Sequence, residues 1–384
     1  MNREHTPLVL VFSTAYLPFI GGAEVALAEV MKRSTGLRFL VITARLSRGV
    51  PKRESQGDID IYRIGFGSPA DKLLLPIFGA FVGFRAIRRE RVAALWGMMV
   101  SQGTLAGYFL KIIFPRTRFV VTLQEGDSKE HLEHARFGLI DFFWKRVMRK
   151  ADAVTAISKH LARAAREAGF RKEVAVIPNG VDEAYVSASF ERPPKETLKT
   201  DLGIPANAPV ILSVSRLVEK NGIDDLFRAF ALLAESAHLV IVGGGPDHKK
   251  LMRLAHELGV DNRAHFLGSV NHDELLRYYR MSDIFCRPSR SEGLGSAFLE
   301  AMGAGVPVVA TAVGGIRDFL IDGETGVAVQ VGDPENIANG IRRIFEDDVL
   351  RNKIVERARA LVIEKYLWVD IAKKMESVLL EAQT

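Results

Sequence analysis

Two acidic residues, Glu292 and Glu300, flank a glycine-rich turn in "SEGLGSAFLEAMGAGVPVVAT", with seven residues between them. Gly293 and Gly295 predict that turn, and the apolar spacing after Ser296 predicts a helix beginning there. The entrance of a helix presents unpaired backbone N–H groups, which suit a phosphate. Carboxylates in the loop and on the helix can accept hydrogen bonds from a ligand's hydroxyl groups. The stretch therefore fits a ligand such as a nucleotide sugar, while a solvated loop acid and an ordinary helix acid are the alternative.

Basic residues follow another predicted strand in "SRLVEKNG", where Arg216 and Lys220 lie near the carboxyl end of that strand. The planar guanidinium and the compact ammonium group can together hold a diphosphate. Ligands of parallel α/β domains bind at the carboxyl ends of strands, which favours this role over simple surface basicity. A further turn in "PFIGGAE" places Gly21 and Gly22 between the first strand and the first helix, where glycine lets the backbone approach a ligand.

Three other chemistries find no support in the sequence. The turn in "IVGGGPDHKK" has His248 where a dinucleotide fingerprint needs its third glycine, which argues against hydride transfer. Cysteine and histidine do not occur at zinc-site spacing, so no metal site is predicted. The one cysteine, Cys286, lies in the apolar stretch "DIFCRPS" and is predicted to be buried rather than nucleophilic. A single cysteine also fits a reducing compartment.

Apolar strand-like runs alternate with helical patterns along the whole chain. Such alternation predicts parallel sheets covered by helices, and the polar stretch "YVSASFERPPKETLKTDLGIPANAP" reads as a linker between two runs of it. The sequence therefore predicts an α/β protein with two doubly wound, Rossmann-like domains, over residues 1–187 and 188–364, that face each other across a ligand-binding cleft. Residues 365–384 are predicted to form a last helix that can pack back on the N-terminal domain.

The 384-residue chain has the composition of a soluble globular protein, with 48% hydrophobic and 26% charged residues. Residues 92–110 carry no charge and approach the length of a membrane span, but polar and glycine residues interrupt them. We predict a strand, a turn and a helix there, and no transmembrane segment. The N-terminal apolar run is predicted to be a first buried strand rather than a signal peptide.

Positive charge is concentrated in the N-terminal half. Residues 1–190 hold 28 Lys and Arg against 18 Asp and Glu, a balance of +10, whereas the remainder holds 24 against 28, a balance of −4. A basic half favours an anionic partner, such as a membrane surface or a phosphate-bearing substrate. Within it, "DKLLLPIFGAFVGFRAIRRERV" can lie in a lipid interface or pack as a core helix with a solvated end. No motif that reads nucleic acid is present, so no nucleic-acid partner is predicted.

Taken nearly end to end, the chain resembles a retaining family 4 glycosyltransferase of the GT-B type, which has two Rossmann-like domains. The similarity lies in the "GG" loop, "TAISKHL", "VIPNGVD", "SRLVEKNGIDDLFRAF", "IVGGGP" and "FLG". Its most specific part is the pair of glutamates separated by seven residues, with "EAMGAGVPVVAT" and "GGIRDFLIDGETGVAV" behind it. The resemblance implies that the C-terminal domain binds a nucleotide sugar and that the N-terminal domain binds the acceptor.

The resemblance also implies roles for individual residues. Glu300 would bind the ribose, Glu292 would bind hydroxyl groups of the transferred sugar, and backbone near Val270 in "FLGSVN" would contact the base. Arg216 and Lys220 would hold the diphosphate, so neither a metal ion nor a cofactor is expected. Other residues implied to contact the donor are Gly21, Gly22, Asn221, Gly293, Leu294, Gly295 and Ser296.

Two positions depart from the family's pattern. Asn221 stands where the family usually has a lysine, with Lys220 one residue earlier. Gln124, in "LQEGDS", stands where the family commonly has a histidine near the reacting sugar. Gln124 can still hold a sugar hydroxyl, although it cannot titrate. Gln124, Glu292, Arg216 and Lys220 are therefore the predicted catalytic residues.

The resemblance implies transfer of a hexose with retention of configuration, in which the departing phosphate takes the acceptor's proton. The protein would then contribute positioning and stabilisation of charge. The expected acceptor is a glycan, a lipid-linked molecule or a small molecule in glycoconjugate or cell-envelope polysaccharide biosynthesis. Two alternatives stay open, namely a sugar-nucleotide epimerase of the same fold and a non-catalytic sugar-nucleotide-binding protein. The expected location is the cytoplasm, including its membrane surface.

Overall fold

The computed structural model describes residues 6–19, 21–124, 139–187 and 195–381. The chain divides into two compact units, Met1–Asn179 with Trp368–Thr384, and Gly180–Leu367. The predicted domain boundaries lie after residues 187 and 364, whereas the units change after Asn179 and after Leu367. Within the described ranges, no helix combines the length and the apolar character needed to cross a bilayer.

The sheet of the first unit has eight strands in the order β3-β4-β2-β1-β5-β6-β7-β8. All neighbours are parallel except β3 and β4. Since β2 and β5 flank β1, the direction of winding reverses at β1, as it does in a doubly wound fold. The strands are β1 Leu8–Phe12, β2 Arg38–Ala44, β3 Arg53–Gln56, β4 Ile59–Ile64, β5 Val92–Met98, β6 Arg118–Leu123, β7 Ala153–Ala156 and β8 Ala175–Val176.

The sheet of the second unit has six parallel strands in the order β11-β10-β9-β12-β13-β14. Its winding reverses at β9. The strands are β9 Val210–Val214, β10 His238–Val242, β11 Ala264–Gly268, β12 Ile284–Arg287, β13 Val308–Thr311 and β14 Val327–Val329. Every residue of β1, β6, β12 and β13 is buried, as expected for strands that helices cover on both faces. The predicted fold class is therefore confirmed.

Helices connect these strands. Those of the first unit are α1 Gly22–Arg33, α2 Ala80–Ile87, α3 Gln102–Ile113, α4 Leu139–Lys150, α5 Lys159–Glu167 and, from the C-terminal end of the chain, α14 Trp368–Leu380. Those of the second unit are α6 Glu183–Val186, α7 Lys195–Asp201, α8 Ile223–Ala231, α9 His248–Glu257, α10 His272–Met281, α11 Ser296–Gly303, α12 Pro334–Glu346 and α13 Asp348–Lys365. Short 3-10 or π turns occupy Pro69–Leu73, Leu75–Gly79, Glu219–Asn221, Asp261–Arg263 and Gly314–Asp318.

The structure corrects one local prediction and adds a strand that was not predicted. The stretch interpreted as a linker contains α7 and the end of α6, and Tyr185 from α6 is buried against Tyr279. Lys199 in α7 is also buried, because its ammonium group donates to the carbonyl oxygens of Ala206 and Ala208 at 3.1 and 2.8 Å. Strand β3 was not predicted, because its sequence "RESQ" is polar. It lies at the edge of the sheet and pairs with one neighbour only.

Residues 92–110 form strand β5, a turn and most of helix α3, as predicted. Cys286 is fully buried in β12, and burial raises the pKa of its thiol well above the usual value. The basic apolar stretch 71–92 is packed into the core in part only. Leu75, Gly79 and Gly83 are buried, while other large apolar side chains of this stretch are exposed.

Loops at the carboxyl ends of the second sheet pack backbone against backbone at glycine positions. Gly222, before α8, has a φ of 65°, and a Cβ there would overlap the carbonyl oxygen of Pro288 after β12. Gly314, after β13, has a φ of 50°, and a Cβ there would overlap the carbonyl oxygen of Glu292. These loops carry most of the predicted donor-binding residues, so their close packing fixes the site.

Candidate functional site

Glu292 lies in the loop between β12 and α11, as predicted, and its carboxylate already has partners. One oxygen, Oε2, forms an ion pair with Nη2 of Arg287, and Oε1 accepts from the backbone N–H of Gly293 at 3.1 Å. The Glu292 side chain is partly exposed, whereas that of Arg287 is only 6% exposed. An oriented and partly exposed carboxylate suits hydroxyl recognition.

Arg287 is fixed from several sides. Its Nη1 donates to the carbonyl oxygen of Val214 at 3.1 Å, and its Nε donates to Oγ of Ser289 at 3.1 Å. Its guanidinium carbon lies 4.3 Å from the centroid of the Phe298 ring, within range of a cation–π interaction. Arg287 was not among the predicted site residues. The signal in the sequence is an arginine inside the apolar strand "IFCR", since a buried cation needs a counter-charge.

Glu300 lies on α11 and is buried, with a side chain only 10% exposed. Its Oε2 accepts a hydrogen bond from the Tyr279 hydroxyl at 2.8 Å, and its Oε1 lies 3.3 Å from Nε2 of His272. Both partners come from α10. The hydrogen bond to Glu300 raises the pKa of the His272 imidazole, although burial opposes the charged form. Tyr279 and His272 were not among the predicted site residues either.

The loop after β9 carries the predicted diphosphate residues. Arg216 and Lys220 are exposed, whereas Asn221 is buried. The Asn221 amide Nδ2 donates to the carbonyl oxygen of Arg216 at 2.6 Å, so this side chain braces its own loop. The carbonyl oxygen of Lys220 accepts from the backbone N–H of Arg290 at 2.7 Å, which joins this loop to the one that carries Glu292.

The entrance of α11 lies in the sequence between the two acids. Gly295 precedes the helix with a φ of 90° and has no side chain with which to cap it, and Ser296 is the first helical residue. Gly293 and Leu294 are buried in the preceding loop. The first N–H groups of a helix lack intrahelical acceptors, so this end can bind an anion. Val270 follows β11 and is half-buried.

The first unit holds the remaining predicted site residues. Gly21 immediately precedes α1, which begins at Gly22, so this turn opens the first helix as predicted. Gln124 follows β6, and its side-chain amide forms a reciprocal pair with that of Asn179, each donating to the other at 2.9 Å. The Asn179 partner, in "VIPNGVD", orients the Gln124 amide, and its role was not predicted.

Solved structures of similar fold include glycosyltransferases. Sucrose-phosphate synthase from Thermosynechococcus elongatus matches with a TM-score of 0.85 and 21% identity, over 97% of this chain and 98% of that chain. Anabaena HepE, solved with UDP and glucose, matches with a TM-score of 0.79 and 22% identity, over 98% and 99% of the two chains. At these identities the similarity establishes the fold, which is the GT-B arrangement of two α/β domains.

Curated relatives are also glycosyltransferases. An uncharacterized glycosyltransferase of Methanocaldococcus jannaschii is 37% identical over 54% of this chain, and the lipopolysaccharide core biosynthesis glycosyltransferase LpsE of Rhizobium meliloti is 32% identical over 57%. The matches span only 53% and 61% of the length of these two relatives. N-acetyl-alpha-D-glucosaminyl L-malate synthase of Bacillus anthracis is 30% identical over 76% of this chain and 75% of its own.

Two family models cover most of the sequence. The glycosyl transferase 4-like domain matches residues 21–180, which contain strands β2 to β8 of the first sheet and the helices of the first unit except α14. The model of glycosyl transferases group 1 matches residues 194–361, which include both acids and the loop with Arg216. The predicted family is thus confirmed, and the chain belongs to the glycosyl transferases group 1, with the GT-B fold.

Proposed function

We propose that the chain is a retaining hexosyltransferase that moves a sugar from a nucleoside-diphosphate sugar to a glycan, lipid-linked or small-molecule acceptor in glycoconjugate or cell-envelope polysaccharide biosynthesis. The observation that carries the proposal lies in the second unit. Two carboxylates, Glu292 and Glu300, each held by its own partners, lie on either side of the entrance of α11. The names of the relatives from Rhizobium meliloti and Bacillus anthracis support sugar transfer.

In the proposed reaction the bond between the anomeric carbon and the diphosphate breaks, and the acceptor oxygen bonds to the same face of that carbon. The acceptor's proton passes to the departing phosphate. Arg216 and Lys220 supply positive charge to the diphosphate, which makes the reaction independent of a metal ion. Glu292 orients the sugar by accepting hydrogen bonds, and Gln124 does so by accepting or donating them. The chain therefore contributes mainly position and charge.

Replacing Arg216 tests the charge assigned to the leaving diphosphate. Arg216→Ala should lower turnover by about 10²-fold, because Arg216 acts on charge that grows as the sugar departs. The Arg216→Ala change should reduce the protein's affinity for the free nucleoside much less than it reduces turnover. Lys250→Ala, on the exposed face of α9, is the matched control. Turnover within about twofold of the parent would remove Arg216 from the mechanism, since that change is well under ~1 kcal/mol.

A binding screen with UDP, GDP, ADP and their sugars by calorimetry tests the donor assignment. The structural neighbour HepE was solved with UDP, so UDP is the first nucleotide to try. Incubation of the best sugar nucleotide without acceptor then distinguishes transfer from epimerisation, because an epimerase needs no acceptor. Formation of an epimer would overturn the proposal. Tight donor binding with neither transfer to any acceptor nor slow donor hydrolysis would identify a non-catalytic binding protein.

We further propose that the first unit contacts an anionic membrane surface, where a lipid-linked acceptor would be found. Four large apolar side chains near α2 are more than half exposed, namely Leu73, Ile77, Phe78 and Phe81. Four arginines follow them and are exposed, namely Arg85, Arg88, Arg89 and Arg91. Phe78, Phe81 and Arg85 also line a cavity of about 630 Å³, whose lining further includes Lys52, Arg53, Arg63, Arg89 and the acidic Glu90. This combination of apolar and basic groups is complementary to anionic lipid.

Co-sedimentation with liposomes tests the membrane contact. The proposal requires binding to anionic and not to neutral vesicles, weakened by salt, since each cation near the surface contributes about 1 kcal/mol. Replacing Arg85, Arg88, Arg89 and Arg91 with Ser should abolish binding. Replacing Arg163, Arg166, Arg171 and Lys172 with Ser removes the same charge from another exposed part of the first unit and should leave most binding intact. Protein that stays in the supernatant with anionic vesicles at low salt would overturn the proposal.

A further inference from the structure

We propose that Tyr279 and His272 are positioning residues for Glu300, and that His272 couples recognition of the nucleotide's ribose to pH. The inference rests on the proposed function, because it assumes that Glu300 accepts hydrogen bonds from the ribose. It adds two residues and a pH dependence to that function.

Tyr279 fixes one oxygen of the carboxylate. Its side chain is fully buried, and its hydroxyl donates to Oε2 of Glu300 at 2.8 Å. The Tyr279 ring lies against the rings of Phe285 and Tyr185, with centroids 5.9 and 5.8 Å apart. Burial raises the pKa of Tyr279 well above its usual value, so the hydroxyl stays protonated and remains a donor. Tyr279 therefore holds the Glu300 carboxylate in one orientation across the pH range of interest.

His272 lies beside the other oxygen and is accessible. It is the first residue of α10, its side chain is 38% exposed, and its Nε2 lies 3.3 Å from Oε1 of Glu300. The other groups that act on the imidazole are the carboxylates of Asp273 and Asp182, and the ring of Tyr185 lies 6.5 Å away. Three acids thus favour the imidazolium, and the hydrogen bond with Glu300 raises the pKa of His272 the most.

The expected sign of the pH effect follows from the hydrogen-bonding capacity of Glu300. A carboxylate accepts about four hydrogen bonds, and Tyr279 uses one of them. Protonation of His272 adds a positive charge beside Glu300 that offsets the negative charge of the carboxylate, so a ribose hydroxyl would meet a weaker acceptor. A bound ribose would also cover the imidazole, and this loss of solvation disfavours its charged form. Nucleotide binding therefore releases a proton from His272, and affinity falls as the pH falls through the pKa of this residue.

The test compares each nucleotide with its 2′-deoxy counterpart. The Kd values of UDP, GDP and ADP and of their 2′-deoxy forms are measured by calorimetry from about pH 5.5 to about pH 8.5. The terminal phosphate titrates alike in both members of a pair, so the ratio of the two Kd values reports on the ribose alone. We expect the preference for the ribonucleotide to shrink about threefold to tenfold toward low pH, since a pKa change of 1 on binding corresponds to tenfold.

Two variants with matched controls separate the role of His272 from that of Tyr279. His272→Gln keeps a neutral donor near the position of Nε2 and should make the ratio independent of pH. His256→Gln changes a largely exposed histidine paired with Asp261 and should leave the pH profile as it is. Tyr279→Phe should lower the ribose preference about tenfold at every pH, because it removes a hydrogen bond to a charged group. Tyr278→Phe should leave the ribose preference unchanged, because the Tyr278 hydroxyl accepts from Nη2 of Arg277 and does not contact Glu300.

The outcomes distinguish the inference from the proposed function. Absence of binding for all three nucleotides in the wild-type chain would overturn the proposed function and the inference with it. Binding with a ratio that does not change with pH, or a pH profile unchanged in His272→Gln, would overturn the inference and leave the proposed function standing. The accessible His272 provides this test even where Tyr279→Phe fails to fold.

Discussion

At the residue scale, the two acids of the candidate site differ in the kind of group that holds them. Glu292 pairs with the guanidinium of Arg287, and Glu300 contacts the hydroxyl of Tyr279 and the titratable imidazole of His272. The environment of the Glu300 carboxylate therefore changes with the charge of His272.

Arg287→Met tests whether the buried partner of Glu292 matters for sugar transfer. The change keeps an apolar side chain over Phe298 but removes the ion pair and the hydrogen bonds to Val214 and Ser289. We expect the free energy of unfolding to fall by about 1–3 kcal/mol, the usual effect of losing hydrogen bonds to a charged group. Turnover should fall by about tenfold or more, because Glu292 loses its orientation. The affinity for free nucleoside diphosphate should change little.

Arg228→Met is the control for this experiment. Arg228 pairs with Asp224 on α8, but nearly half of its side chain is exposed, so its replacement should cost less than ~1 kcal/mol. Equal turnover in Arg287→Met and Arg228→Met would show that the buried pair serves stability alone.

At the element scale, the loops after β9, β12 and β13 are positioned by contact between their backbones. Gly222 is the residue at which the loop after β9 meets the loop after β12, and Gly314 joins the loop after β13 to Glu292. A side chain at either position would separate two loops that carry predicted donor-binding residues. Glycine is required there both for its positive φ and for the close approach.

Gly222→Ala and Gly203→Ala form a matched pair that separates these two requirements. Both glycines have φ near 65°, but a Cβ at Gly203 meets no atom within 4 Å. Gly203→Ala should therefore cost only the strain of a left-handed alanine, about 1–2 kcal/mol. Gly222→Ala must also displace Pro288, so we expect a larger loss, above ~2 kcal/mol, and weaker nucleotide binding. Urea unfolding and calorimetry measure both, and equal losses for the two variants would contradict the argument.

Most strands of the two sheets could be predicted from the sequence because helices cover both of their faces. β1, β6 and β13 are covered on both faces, so β1 appears as an uninterrupted apolar run and the other two as mainly apolar runs between turns. The entrance of α11 could also be predicted, since its glycine turn and the apolar spacing after it are local features. β3 could not, because an exposed edge strand of polar residues carries no apolar pattern.

The partners of the two acids could not be predicted from local patterns. Tyr279 and Glu300 are 21 residues apart in the sequence and meet only when α10 and α11 pack together. Gln124 follows β6 and Asn179 follows β8, so these two residues are 55 positions apart and meet only in the folded first unit. Such pairs depend on tertiary packing, which spacing within a single element does not reveal.

At the scale of the whole molecule, the first unit is completed by the C-terminal end of the chain. α14 contributes Trp368, Ile371, Met375 and Leu379 to the same buried cluster as Leu27 of α1. Polar contacts hold it as well, since Glu376 accepts from the backbone N–H of Gly36 at 3.0 Å and Arg118 donates to the carbonyl oxygen of Val378 at 2.9 Å. The core of the first unit therefore includes a helix from the C-terminal part of the chain.

Leu379→Ala and Leu380→Ala test this dependence with adjacent residues of one helix. Leu379 is fully buried, whereas Leu380 is 45% exposed. Burial predicts a loss of about 2–5 kcal/mol in the free energy of unfolding for Leu379→Ala and at most ~0.5 kcal/mol for Leu380→Ala. Because a chain with two units need not unfold in one step, amide hydrogen exchange is the better measurement. Protection should fall in α1 and β1 of the first unit and stay unchanged in β9 and β12 of the second. Equal protection of α1 in the two variants would mean that α14 is an appendage rather than a part of the first unit's core.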